Sequence, residues 1–90
     1  MYRINLYFIY ENDSQLEEIH KIFKKNHEAY GLIKYDWYIK EKKCNSAKFE
    51  FNGSEKLMDG VKNSANQIFD KTGLNCTITV HKLDDVIKIN

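Results

Sequence analysis

Proline is absent from this 90-residue chain, glycine occurs four times, cysteine twice and tryptophan once. So little proline and glycine excludes long flexible linkers. Two cysteines are too few for a disulfide scaffold. Neither CxxC nor HExxH occurs, so the common metal-binding spacings are missing, and no glycine-rich loop is present to cradle a phosphate. The longest uncharged apolar run, Ile4 to Tyr10, contains Asn5 and falls far short of the ~18 residues that span a bilayer. No small-residue cleavage site follows "MYRINLYFIY"; Glu11 and Asp13 come next, so this segment reads as a strand and not as a signal peptide. The expected location is the cytoplasm. Charge of one sign is also lacking. The net charge of +1 is neither the basic excess of a dedicated duplex-DNA binder nor the acidic excess of a nucleic-acid mimic.

What is present is the composition of an ordinary globular domain, 42% hydrophobic and 30% charged. Residues 2–10 alternate. Tyr2, Ile4, Leu6, Phe8 and Tyr10 share one face, and Arg3, Asn5, Tyr7 and Ile9 the other, which is a strand. "ENDS" breaks it. Ser14 followed by Glu17 forms a capping box, predicting a helix from Gln15. Its stripe is Leu16, Ile19, Phe23 and Tyr30, and Gly31 is its left-handed stop. Two strands follow near 32–40 and 46–52, with "EKKCN" as the hairpin loop. In the first of these, Ile33, Tyr35, Trp37 and Ile39 are assigned to the core, and Lys34, Asp36, Tyr38 and Lys40 to the opposite face. In the second, Ala47, Phe49 and Phe51 point inward, and Ser46, Lys48 and Glu50 outward. Ser54 caps a second helix with an inward stripe of Leu57, Val61, Ala65 and Ile68, ending at Gly73. Gly60 within it suggests a strand passing close by. Residues 74–81 form the last strand, with Leu74, Cys76, Ile78 and Val80 inward.

The order strand, helix, strand, strand, helix, strand is the split βαβ, ferredoxin-like pattern. Right-handed crossovers place both helices on one face of an antiparallel sheet of order 4-1-3-2. The expectation is an α+β domain over residues 1–82. Residues 83–90, with Val86, Ile87 and Ile89, form a tail or a short extra edge strand.

Chemistry-bearing residues are sparse. His20 and His27 lie seven residues apart on one helix, roughly 10 Å along its axis, too far to share a metal ion, so no metal and no cofactor is expected. Cys76 reads as a small buried hydrophobe. Cys44 reads as an exposed loop thiol beside Lys42 and Lys43, and an intervening strand keeps it from Cys76. The open sheet face remains. It holds Arg3, Tyr7, Ile9, Lys34, Tyr38, Lys40 and Lys48, with cross-strand pairs expected between Lys48 and Asp36 and between Glu50 and Lys34.

Tyrosines among lysines on such a face resemble RNA-recognition domains in topology. "CNSAKFEF" stands where those domains carry their third-strand signature, matching at Ala47, Glu50 and Phe51. The two stacking positions hold Ser46 and Lys48 instead. Tyrosine and arginine are favoured anchors at protein interfaces. The functional expectation is therefore a small non-enzymatic protein-binding module of inhibitor, immunity, anti-defence or adaptor type. It would act through the open face or an edge strand on another protein or a second copy of itself. Single-stranded RNA or DNA binding on the same face is the alternative.

Overall fold

The computed structural model describes the backbone of residues 1–27, 30–39 and 42–83, and the side chains of these except 35–39 and 42–43. The elements are β1 (Tyr2–Tyr10), α1 (Asp13–Asn26), β2 (Gly31–Ile39), β3 (Lys42–Gly53), α2 (Glu55–Thr72) and β4 (Cys76–Lys82). All strand pairs are antiparallel, in the spatial order β2-β3-β1-β4. This is the expected α+β, ferredoxin-like arrangement, with the helices on one face. Of residues 83–90, expected as a tail or edge strand, all but Leu83 lie outside the described residues.

The core is one contiguous cluster. β1 contributes Ile4, Leu6, Phe8 and Tyr10, β3 contributes Ala47, Phe49 and Phe51, and the helices cover them with Leu16, Ile19, Ile22, Phe23, Val61 and Ile68. Aromatic rings dominate its middle. Phe23 sits 4.8 Å from Phe49, 5.0 Å from Phe51, 5.6 Å from Tyr30 and 6.4 Å from Phe8, ring centre to ring centre. Three of these pairs are edge-to-face, the geometry that sets the positive rim of one ring against the negative face of another.

Several local expectations are corrected. Asn12, not Ser14, caps α1, its side chain accepting from the Gln15 N–H at 3.0 Å. Gln15 Oε1 in turn accepts from the Glu11 N–H at 2.7 Å. The reciprocal cap thus runs through Asn12 and Gln15 in place of Ser14 and Glu17. The helix ends at Asn26, with His27 in extended conformation, well before Gly31, which opens β2. Tyr30, placed on the helical stripe from the sequence, reaches the same aromatic cluster from beyond the helix end. α2 (Glu55–Thr72) lies between Ser54 and Gly73 as expected, but Ser54 stands at the N-cap position without a side-chain capping hydrogen bond, while φ of +76° at Gly73 gives the left-handed stop.

Gly60 faces no strand. A Cβ there would meet the His27 ring at 3.3 Å, so the small residue makes room for a helix–helix contact. Beside it, Ser64 is fully buried and hydrogen-bonds His27 Nε2 at 3.1 Å, accepts from Asn26 Nδ2 at 2.9 Å and donates to the Gly60 carbonyl at 3.0 Å.

The main correction concerns β2. β2 ends at Ile39 and β3 begins at Lys42, so "EKKCN" is not a five-residue loop but mostly strand. The register pairs Leu32 with Phe49, Ile33 with Lys48, and Lys34 with Ala47. Directly opposed residues share a face. Leu32 and Lys34 therefore lie on the helix side, and Ile33 on the open side, the reverse of the sequence assignment. Two observations agree. Ile33 is 48% exposed, and the Lys34 charge acts on His20, a residue of α1. The physical reason is parity. An odd-length loop pairs even with even positions, whereas the gap between Ile39 and Lys42 pairs odd with even, which turns Leu32, Ile33 and Lys34 over.

Candidate functional site

Strand alternation builds the open face from β1, β3, β4 and the start of β2. Its central row runs Thr77, Tyr7, Lys48, Ile33. Tyr7 is 36% exposed and Ile33 48%, and Lys48 Nζ lies 5.9 Å above the Tyr7 ring, a cation–π distance. One row toward the hairpin, Ile9 is 56% exposed and sits opposite Ser46. On the other side of the central row, Asn5 lies between Thr79 and Glu50. It is only 6% exposed, and its carbonyl oxygen has no hydrogen-bond partner among the described residues. Next comes Arg3, between His81 and Asn52. Its Nε donates to Asn52 Oδ1 at 3.3 Å and lies 3.8 Å from Glu50 Oε2.

The face is thus graded. One end is polar and internally paired, the middle carries a tyrosine under an ammonium group, and toward the hairpin Ile9 stands exposed beside Ser46. Of the expected site residues, Arg3, Tyr7, Ile9 and Lys48 stand together here. Lys34 does not: it lies on the helix side, opposite Ala47. Tyr38 lies opposite Lys43 in the register, but its side chain is outside the described residues, as is the whole of Lys40. The expected Glu50–Lys34 pair is replaced by Glu50–Arg3, and Asp36 sits opposite Asn45, not beside Lys48. Ile33 is the residue that sequence reasoning missed. The length of the β2–β3 connection was the signal that could have found it.

Elsewhere the structure holds two half-buried histidines. His20 Nδ1 lies 2.9 Å from the Tyr30 hydroxyl, and its ring packs edge-on against Phe49. Burial lowers the His20 pKa from its ordinary value, and the Lys34 charge lowers it further. Burial also lowers that of His27, with the Gly60 carbonyl acting the other way. Burial raises the Tyr30 hydroxyl and the Cys76 thiol. Cys44 is not in a loop but in β3, opposite Trp37 and half-buried. No group of three or more His, Cys, Asp or Glu among the described residues is placed to hold a metal ion. No helix among them is long and apolar enough to cross a membrane.

No family model and no curated protein matches this chain. Solved structures do. A DUF3240 family protein from Shewanella baltica OS155 superposes with a TM-score of 0.64 at 8% identity, covering 99% of this chain and 97% of that one. CutA1 from Pyrococcus horikoshii gives 0.57 at 17% identity, over 94% and 87% of the two chains. A phage SAM lyase in its apo state gives 0.61 at 8% identity, over 89% and 78%. Such low identities establish a shared fold and nothing about activity, because one fold hosts many unrelated sites.

Proposed function

We propose that this chain is a small non-enzymatic protein-binding module that meets its partner with the open sheet face. Inhibitor, immunity, anti-defence and adaptor proteins of the cytoplasm are the types it fits. The observation that carries the reading is the row of Tyr7 and Ile33 with Ile9 beside it: three large apolar side chains, at least a third exposed, on a face that the chain's own helices leave uncovered. Tyrosine supplies a large, stiff contact surface, and desolvated apolar groups ringed by polar ones are how interface hot spots are built. The Arg3–Glu50–Asn52 group forms such a rim at one end.

Single-strand nucleic-acid binding is less well served. Lys48 already covers the Tyr7 ring on which a base would stack, and Arg3 is engaged by Glu50 and Asn52 before any phosphate arrives.

Capture from extract of the native host with the tagged full chain tests the reading. Tyr7→Ala combined with Ile33→Ala is expected to abolish partner recovery while the melting temperature stays nearly constant, since both side chains stand outside the core. Recovery unchanged by the pair would remove this face. Oligonucleotide binding in the micromolar range that weakens steeply with salt would replace the proposal with the nucleic-acid alternative.

A further inference from the structure

Among the described residues β4 is one margin of the sheet, so one side of its backbone has no strand neighbour among them. The Leu83 N–H donates to the Met1 carbonyl at 2.9 Å, which fixes the hydrogen-bonding phase of the strand. Main-chain groups of successive residues point to opposite sides. Those of Thr77, Thr79 and His81 therefore bond β1, and those of Cys76, Ile78, Val80 and Lys82 face outward. The same four residues lie on the helix side, where Cys76 and Ile78 pack against the core cluster.

Cover is incomplete there. An open groove of about 400 Å³ separates α2 from β4, lined by Ala65, Phe69, Leu74, Cys76 and Ile78 among others. Phe69 on its wall is 48% exposed, and Val80 further along the strand is 42% exposed. Sheet margins are ordinarily blunted by bulges, proline or charges along the strand. The β4 register is unbroken from Cys76 to Lys82. It contains no proline, and its basic residues, His81 and Lys82, are confined to its last two positions.

We propose that a second copy of this chain pairs with this margin, β4 against β4, antiparallel about a two-fold axis through Thr79. Only registers that oppose even-numbered with even-numbered residues bring outward main-chain groups together. In the Thr79-centred register, each copy's Ile78 lies opposite the other's Val80, Cys76 opposite Lys82 and Thr77 opposite His81, while Thr79 meets Thr79. Both apolar pairs fall on the helix side beside the groove. The threonine pair, a favourable cross-strand combination, falls on the open side. No like charges are opposed. Moving the axis to Val80 would place Ile78 against Lys82, and moving it to His81 or Lys82 would oppose identical basic residues. The match is self-complementary, as an isologous dimer requires, and it joins two sheets into one of eight strands. The surface is separate from the open-face row of Tyr7 and Ile33, so this inference and the proposed function fail independently.

Sedimentation equilibrium of the full chain tests it, with Thr79→Lys and Thr79→Glu as variants. Thr79 is exposed on the open side, so both are expected to fold, with circular dichroism as the check. The unaltered chain should dimerise at roughly 10–100 µM. Each variant should associate about tenfold more weakly, because like charges would meet at the axis, and an equimolar mixture of the two should recover the association. A chain that stays monomeric through this range overturns the proposal. So does a dimer indifferent to both variants. So does a chain that dimerises only after residues 84–90 are removed, since the tail would then be the occupant of the margin.

Discussion

His27 is held by Ser64, whose Oγ lies 3.1 Å from its Nε2, and its ring stands 4.9 Å from Phe51. His20 is held alike by Tyr30 and Phe49, with Lys34 nearby. In both, the folded state disfavours the charged ring, so the folded pKa lies below the ordinary 6.5. The unfolded chain then binds more protons than the folded one as the solution is acidified. The stabilisation is present in full above 6.5 and is lost as pH falls through that value toward the lower folded ones. The melting temperature should therefore drop between about pH 7.5 and about pH 5, with a smaller drop in the His20→Gln, His27→Gln double variant. Thermal scans across that range check this. Equal slopes for both proteins would show that the histidines do not couple to folding.

At the level of elements, caps and connections decide what was legible beforehand. Both helices, all four strands and their order follow from periodicity, because burial on one side imposes a period of two on strands and 3.6 on helices. The ends were harder. "ENDSQLEE" offers two overlapping capping boxes, Asn12 with Gln15 and Ser14 with Glu17, and local sequence does not rank them. The fold chooses the first. Asn12→Ala should thus cost about 1 kcal/mol in denaturant unfolding, and Ser14→Ala much less. A larger loss at Ser14 would restore the other cap. The face of β2 was illegible for a related reason. Whether "EKKCN" is loop or strand cannot be read from polarity, and an odd or even connection inverts the whole strand. That single ambiguity moved Lys34 off the open face and Ile33 onto it, whereas Arg3, Tyr7, Ile9 and Lys48, on strands whose alternation is unambiguous, lie on the open side as expected.

On the scale of the whole molecule, stability concentrates where two βαβ halves meet. Phe23 of the first half packs on Phe49 and Phe51, while Val61, Ser64 and Ile68 of the second close the layer. The exposed bridge from Glu18 to Lys71, 3.9 Å, adds little between the helices. Phe23→Ala should cost about 3–5 kcal/mol, much of the ~5–15 kcal/mol that holds a domain of this kind together. Its urea midpoint would fall accordingly, and a loss below about 1 kcal/mol would mean that the neighbouring rings collapse into the space.

The position of β1 has a consequence for how the protein is made. β1, synthesised ahead of the other described strands, is flanked in the finished sheet by β3 and β4, not by its successor β2. Its row of Ile4, Leu6, Phe8 and Tyr10 therefore emerges with no partner strand until residue 53 has been synthesised, and its second neighbour comes only after residue 82. The nascent chain must carry a sticky, unpaired segment while α1, β2 and β3 are made, which makes this stretch the natural place for a chaperone to hold it.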